Sequence, residues 1–136
     1  MGDLARMPEY SDGLERVDVK TSSSGAPSEY ICHFRPMEPG GPGAVSRERI
    51  RWYAPNRGWA SVGEEPNDFG QTGSLHLVTL TPAGQRSLLT WEAYYEATDL
   101  ETSRTALDAA LADIAHRLIA RFGGRVVDRW VDGLRQ

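Results

Sequence analysis

The stretch TDLETSRTALDAALADIAHRLIARF, residues 98–122, decides how the rest of the chain can fold. In it Leu107, Leu111, Ile114, Leu118 and Phe122 recur at three- and four-residue spacing, with Leu100 on the same line. Six large apolar side chains in one stripe are the pattern of an amphipathic helix. Thr98 followed three residues later by Glu101 has the form of a capping box, and Gly123-Gly124 supplies a left-handed stop. Asp113 and Arg117 stand one turn apart on a polar edge, in the favourable acid-first order. At about 1.5 Å per residue the helix is roughly 37 Å long, enough to cross a small domain. Its stripe needs a sheet to bury against.

Working outward, the preceding chain supplies strands. Leu89, Trp91 and Tyr95 share one parity of Gln85–Ala97, and Thr90, Glu92 and Glu96 share the other. Pro82-Ala83-Gly84 joins that run to Gly70–Thr81, making the longest and most apolar pair. Further upstream lie Arg57–Glu64, Ala44–Tyr53, Ser28–Arg35 and Gly13–Lys20, separated by turns such as Ala54-Pro55-Asn56 and Thr21–Pro27. Met1–Tyr10 reads as the end of a helix closed by Pro8. Arg125–Asp132 reads as extended chain or a short strand. Short connections imply an antiparallel meander. The expected fold is α+β: a curved antiparallel sheet of about six strands wrapped around the C-terminal helix, forming one domain over residues 1–136. Six helix side chains cannot fill a curled sheet of that size, so a cavity is expected between helix and sheet.

Composition narrows the function. The chain has 136 residues, 40% apolar and 25% charged, with a net charge of −4 and no basic stretch, which argues against nucleic acid and anionic membrane as partners. The single cysteine, Cys32, excludes an internal disulfide and reads as a small buried hydrophobe. Without a signal peptide or a long apolar run, the sequence reads as cytoplasmic, with no membrane insertion. His33, His76 and His116 lie on three different elements with no second ligand at turn or helical spacing, so no metal site is expected, and no cofactor-binding fingerprint is present.

The aromatic residues carry more. Trp52, Trp59, Trp91 and Tyr95 alternate on successive strands; any one of them alone reads as ordinary core, but together on a curved sheet they are the expected walls of a ligand pocket, closed by Leu111, Ile114 and Leu118 of the helix. Glu48 alternates with Ile50 and Trp52. If that face points inward, a carboxyl sits in an apolar cavity with a raised pKa, as an acid–base group would; otherwise it is solvated or paired with an arginine. His76 shares parity with Val78 and Leu80. Inward, it could donate to a ligand; the alternative is a satisfied structural histidine. Glu48 and His76 are the candidate catalytic residues. Arg47, Arg49 and Arg51 read as an outer stripe facing glutamates of a neighbouring strand.

Three segments together resemble a known pattern: Leu4–Tyr10 leading into Gly13–Val17, the Leu80–Gly84 hairpin before Leu89-Thr90-Trp91, and the terminal helix Leu107–Phe122. The chain resembles the polyketide cyclase/dehydrase-like branch of the SRPBCC (START-like, helix-grip) superfamily. The resemblance spans nearly the whole chain and implies a cavity holding a small hydrophobic ligand, such as a lipid or a polyketide-like molecule. It leaves three functions in play: binding or transport of that molecule, its conversion by an aromatase/cyclase or dehydratase, and an oligomeric interaction module. Members of that superfamily begin with a further strand and short helix. Here these are missing, so either the natural start lies upstream or the sheet has an open edge that a homodimer or the tail would cover.

Overall fold

The computed structural model describes residues 3–36, 38–63 and 66–127. A 3₁₀ helix at Leu4–Glu9 leads into six strands: β1 (Leu14–Thr21), β2 (Pro27–Phe34), β3 (Val45–Ala54), β4 (Gly58–Gly63), β5 (Gln71–Ala83) and β6 (Arg86–Ala97). Helix α1 (Leu100–Phe122) comes next. The strands form one curved antiparallel sheet in chain order, β1-β2-β3-β4-β5-β6. This is the expected α+β meander with a C-terminal helix after it.

Register fixes which side chains share the concave face. One row across the sheet runs Val19, Tyr30 and Glu48 on β1–β3, with Ser74 and Tyr95 continuing it on β5 and β6 beyond Gly63. A second row holds Ile50, Ser61, His76 and Ala93, and a third holds Tyr53, Trp59, Val78 and Trp91. Paired residues on adjacent antiparallel strands point to the same side, so each row is a contact line. Leu4, Leu14, Val17, Tyr30, Cys32, Trp59 and Val78 form the buried core on this face.

An irregularity in β3 breaks its alternation. Ile50 pairs with Ser61 but Trp52 pairs with Ala60, so β3 carries an extra residue at a bulge around Arg51. A bulge re-aims the side chains beyond it. Tyr53 therefore turns inward against Trp59, and Trp52 turns to the outer face, 42% exposed.

The N-terminal segment also departs from expectation. It forms a 3₁₀ helix with Pro8 inside it, started by Asp3, whose Oδ1 accepts from the Ala5 amide at 3.1 Å. Its Leu4 is 2% exposed and belongs to the buried core, and Met7 packs against the same core. These two side chains, not an open cavity, lie against that core.

Helix α1 is capped one residue later than the sequence suggests. The Asp99 carboxylate, not Thr98, accepts from the Thr102 amide at 3.0 Å, while the Thr98 hydroxyl donates to the carbonyl of Gly70. Gly123, with φ of 75°, ends the helix by donating to the Ile119 carbonyl at 2.8 Å. Only Ser103 and Ile114 of the helix are buried, whereas Leu100 and Phe122 are 62% and 66% exposed. Beyond it, residues 125–127 form no strand; the rest of the Arg125–Asp132 segment lies outside the described residues.

Candidate ligand-binding site

The middle of the concave face is polar. Tyr30 and Ser61 share a hydrogen bond of 2.8 Å between hydroxyls, and Ser74 Oγ donates to Glu48 Oε1 at 3.3 Å. Glu48 faces inward and is 4% exposed, so the inward alternative holds and the arginine pairing does not. Its pKa is pushed up to about 7 because burial penalises the charged form more than the hydroxyls of Ser74 and Ser61 offset it. Two buried polar atoms have no hydrogen-bond partner among the described residues: Glu48 Oε2 and Trp59 Nε1. Such atoms are uncommon in folded proteins and call for an explanation. Gly63 makes room for this cluster: a methyl group there would stand 2.5 Å from Ser74 Oγ and 3.3 Å from Glu48 Oε1.

His76 also points inward, in register with Ser61. Trp91 Nε1 donates to its Nδ1 at 3.3 Å, and burial lowers its pKa to about 4, so the ring is neutral. Trp59 and Trp91 pack edge to face with centroids 6.2 Å apart. Burial pushes the Cys32 thiol up to about 12 and raises the Tyr30 phenol as well, so both are un-ionised and neither is a nucleophile at neutral pH. Among the described residues no three His, Cys, Asp or Glu side chains converge on a metal-sized site.

Two spaces adjoin this face. Under α1, Trp59, Trp91 and Ile114 meet Met7, Tyr10, Ser11 and Leu14 around a cleft of only about 10 Å³. That is room for about one water molecule, not for a ligand. The larger space is an open groove of about 270 Å³ between the 3₁₀ helix and the β1–β2 hairpin, lined by Asp3, Leu4, Val19, Thr21, Pro27 and Tyr53. Val19 and Tyr53 belong to the same rows as Glu48 and Trp59.

Of the residues singled out from sequence, Trp59, Trp91 and Ile114 come together, with His76 bonded to Trp91 and Tyr95 in register with Ser74. Leu111 and Leu118 are half-buried on α1. Trp52 is not on this face, because the β3 bulge turns it outward. Sequence reasoning missed Leu4, Val19 and Tyr53. Val19 was legible as an inward strand residue, but the bulge that turns Tyr53 inward carries no glycine or proline to announce it.

The sequence matches no protein-family model and no curated protein. Among solved structures it is similar to a START superfamily protein from Mycobacterium smegmatis, with a TM-score of 0.69 over 88% of this chain and 82% of that one, at 17% identity. The fold is therefore START-like. Among the described residues no helix is long and apolar enough to cross a membrane.

Proposed function

We propose that the chain binds a small, largely apolar molecule on the concave face of its sheet. The observation that carries this reading is the groove of about 270 Å³, walled by Leu4, Val19, Pro27 and Tyr53, which opens on the same face as the polar cluster. Its volume approaches the lower end of ordinary ligand sites, about 300 Å³. The START-like fold supports the reading, since the resemblance to that superfamily implies a hydrophobic ligand. Occupation of the α1 side would require the helix to lift, because only about 10 Å³ is open there. The ties that hold it are mostly exposed ion pairs, which solvent screens.

The test is displacement of Nile red, a neutral apolar dye, by decanol. Wild-type chain should bind the dye with increased emission and release it to decanol. Val19→Trp, which fills the groove at a half-buried position, should weaken both. No binding by wild type, or binding untouched by V19W, would contradict the proposal.

A second reading comes from Glu48 and His76. A carboxyl titrating near 7 and a neutral imidazole stand in adjacent rows of one face, the equipment for moving protons in a cyclase or dehydratase acting on a polyketide-like substrate. Turnover of a poly-β-ketone by wild type and its loss in Glu48→Gln with binding retained would favour this reading; binding without turnover favours a carrier. A homodimer through β1 or β6, both edge strands of the sheet, is the remaining proposal, tested by mass in solution at rising concentration.

A further inference from the structure

We infer that the polar end of the bound molecule is a protonated amine, placed with an N–H aimed at Glu48 Oε2. This rests on the concave-face binding reading and specifies the ligand class for it.

The surroundings of Glu48 are unbalanced. The residue is buried, Oε1 accepts from Ser74, and Oε2 accepts from nothing among the described residues. Among the described residues, the groups facing it from each neighbouring element supply no positive charge. From β2 they are Tyr30 and Cys32, both held un-ionised by burial. From β4 there are only the Ser61 hydroxyl and Gly63. From β5 come Ser74 and His76, and the imidazole is neutral at physiological pH. On β6, Tyr95 lies in register with Ser74. The nearest arginine row, Arg47, Arg49 and Arg51, is on the opposite face, where Arg47 pairs with Glu29. On α1, Asp113 and Arg117 engage each other and Asp12.

A buried carboxylate without a countercharge is costly, and a ligand can remove that cost. An ammonium group supplies both the missing donor and the missing charge. A hydroxyl supplies only the donor. A fatty acid carboxylate or a phosphate head would meet the same-sign charge and find no cation among the described residues to hold it.

The test is calorimetric titration with decylamine, decanol and decanoate, below their aggregation concentrations. Wild type should bind decylamine about tenfold more tightly than decanol at pH 8, the difference between a charge-assisted and a neutral hydrogen bond. The preference should narrow at pH 6, where Glu48 holds its proton, and decanoate should bind weakest. Glu48→Gln should keep decanol affinity and lose the amine preference. A readout free of any variant accompanies it: at pH 7, in two buffers of different ionisation enthalpy, amine binding should release about half a proton and decanol binding none. Equal affinity for amine and decanol, no proton release, or a preference surviving in E48Q overturns the inference while leaving concave-face binding intact. Failure of all three compounds to bind overturns the underlying reading, and this inference with it.

Discussion

Trp91 Nε1 donates to His76 Nδ1 at 3.3 Å, joining β6 to β5 across the concave face. A ring nitrogen that accepts cannot carry the proton, so the imidazole hydrogen sits on Nε2 and the ring is held neutral. Burial acts in the same direction, taking the pKa from 6.5 to about 4. Trp91→Phe removes the donor and keeps an aromatic ring. The His76 pKa, measured by NMR titration, should lie well below 6.5 in wild type and rise in W91F. A wild-type value near 6.5 would contradict the buried, accepting imidazole.

Glu48 and His76 give opposite pH dependences of stability. The folded Glu48 pKa of about 7 lies above its ordinary 4.5, so its contribution is complete below 4.5 and is lost as pH rises through 7. A shift of that size corresponds to about 3 kcal/mol. The folded His76 pKa of about 4 lies below 6.5, so its contribution is complete above 6.5 and is lost as pH falls toward 4. Between pH 4.5 and 6.5 the slopes oppose, and wild-type urea midpoints should change little there. Glu48→Gln should unmask a rise with pH up to 6.5, and His76→Gln a fall with pH up to 7. Identical profiles for wild type and E48Q would show that Glu48 titrates normally.

Gly63 is the steric key to the polar cluster. An added methyl group meets Ser74 Oγ at 2.5 Å and the Glu48 carboxyl at 3.3 Å, so Gly63→Ala should destabilise the chain by about 1–3 kcal/mol, the usual range for overpacking. Ser74→Ala in the same chain should recover part of that loss. Additive costs in this double-mutant cycle would mean that the two sites do not touch.

The carboxyl half of α1 is tied to the N-terminal segment by polar contacts at the surface. The Asp12 amide donates to Asp113 Oδ2 at 2.7 Å, Arg117 bridges Asp113 and Asp12, and Arg121 reaches Glu9 at 3.0 Å while lying over the Tyr10 ring. Double replacement of Arg117 and Arg121 by alanine should speed amide hydrogen exchange in Leu111–Phe122 and leave β3–β5 unchanged. Added salt should have the same local effect on wild type. Uniform acceleration over the whole chain would show instead that these ties support global stability.

Long-period patterning was readable and local geometry was not. Helix α1, the β5–β6 pair and the alternation of Leu89, Trp91 and Tyr95 come from side-chain period, and the structure keeps them, but of the α1 stripe it buries only Ile114. The inward orientation of Glu48 was one of two alternatives, because parity alone does not say which face is covered. Trp52 was misplaced because the bulge near Arg51 shifts register without a turn residue. Asp99 displaced Thr98 as the helix cap because both are good caps and only the path out of β6 chooses between them. The largest difference is Leu4: a single leucine before Pro8 gives no periodic signal, yet it is buried in the core of the concave face.

Indole N–H signals, monitored by NMR during titration with decanol, test concave-face binding most directly. Binding there predicts shifts at the backbone amides of Val19 and Tyr53 and at Trp59, which pairs with Tyr53, with Trp52 unmoved on the outer face. Shifts confined to Trp52, Leu75 and Tyr94, or none at all, would contradict it.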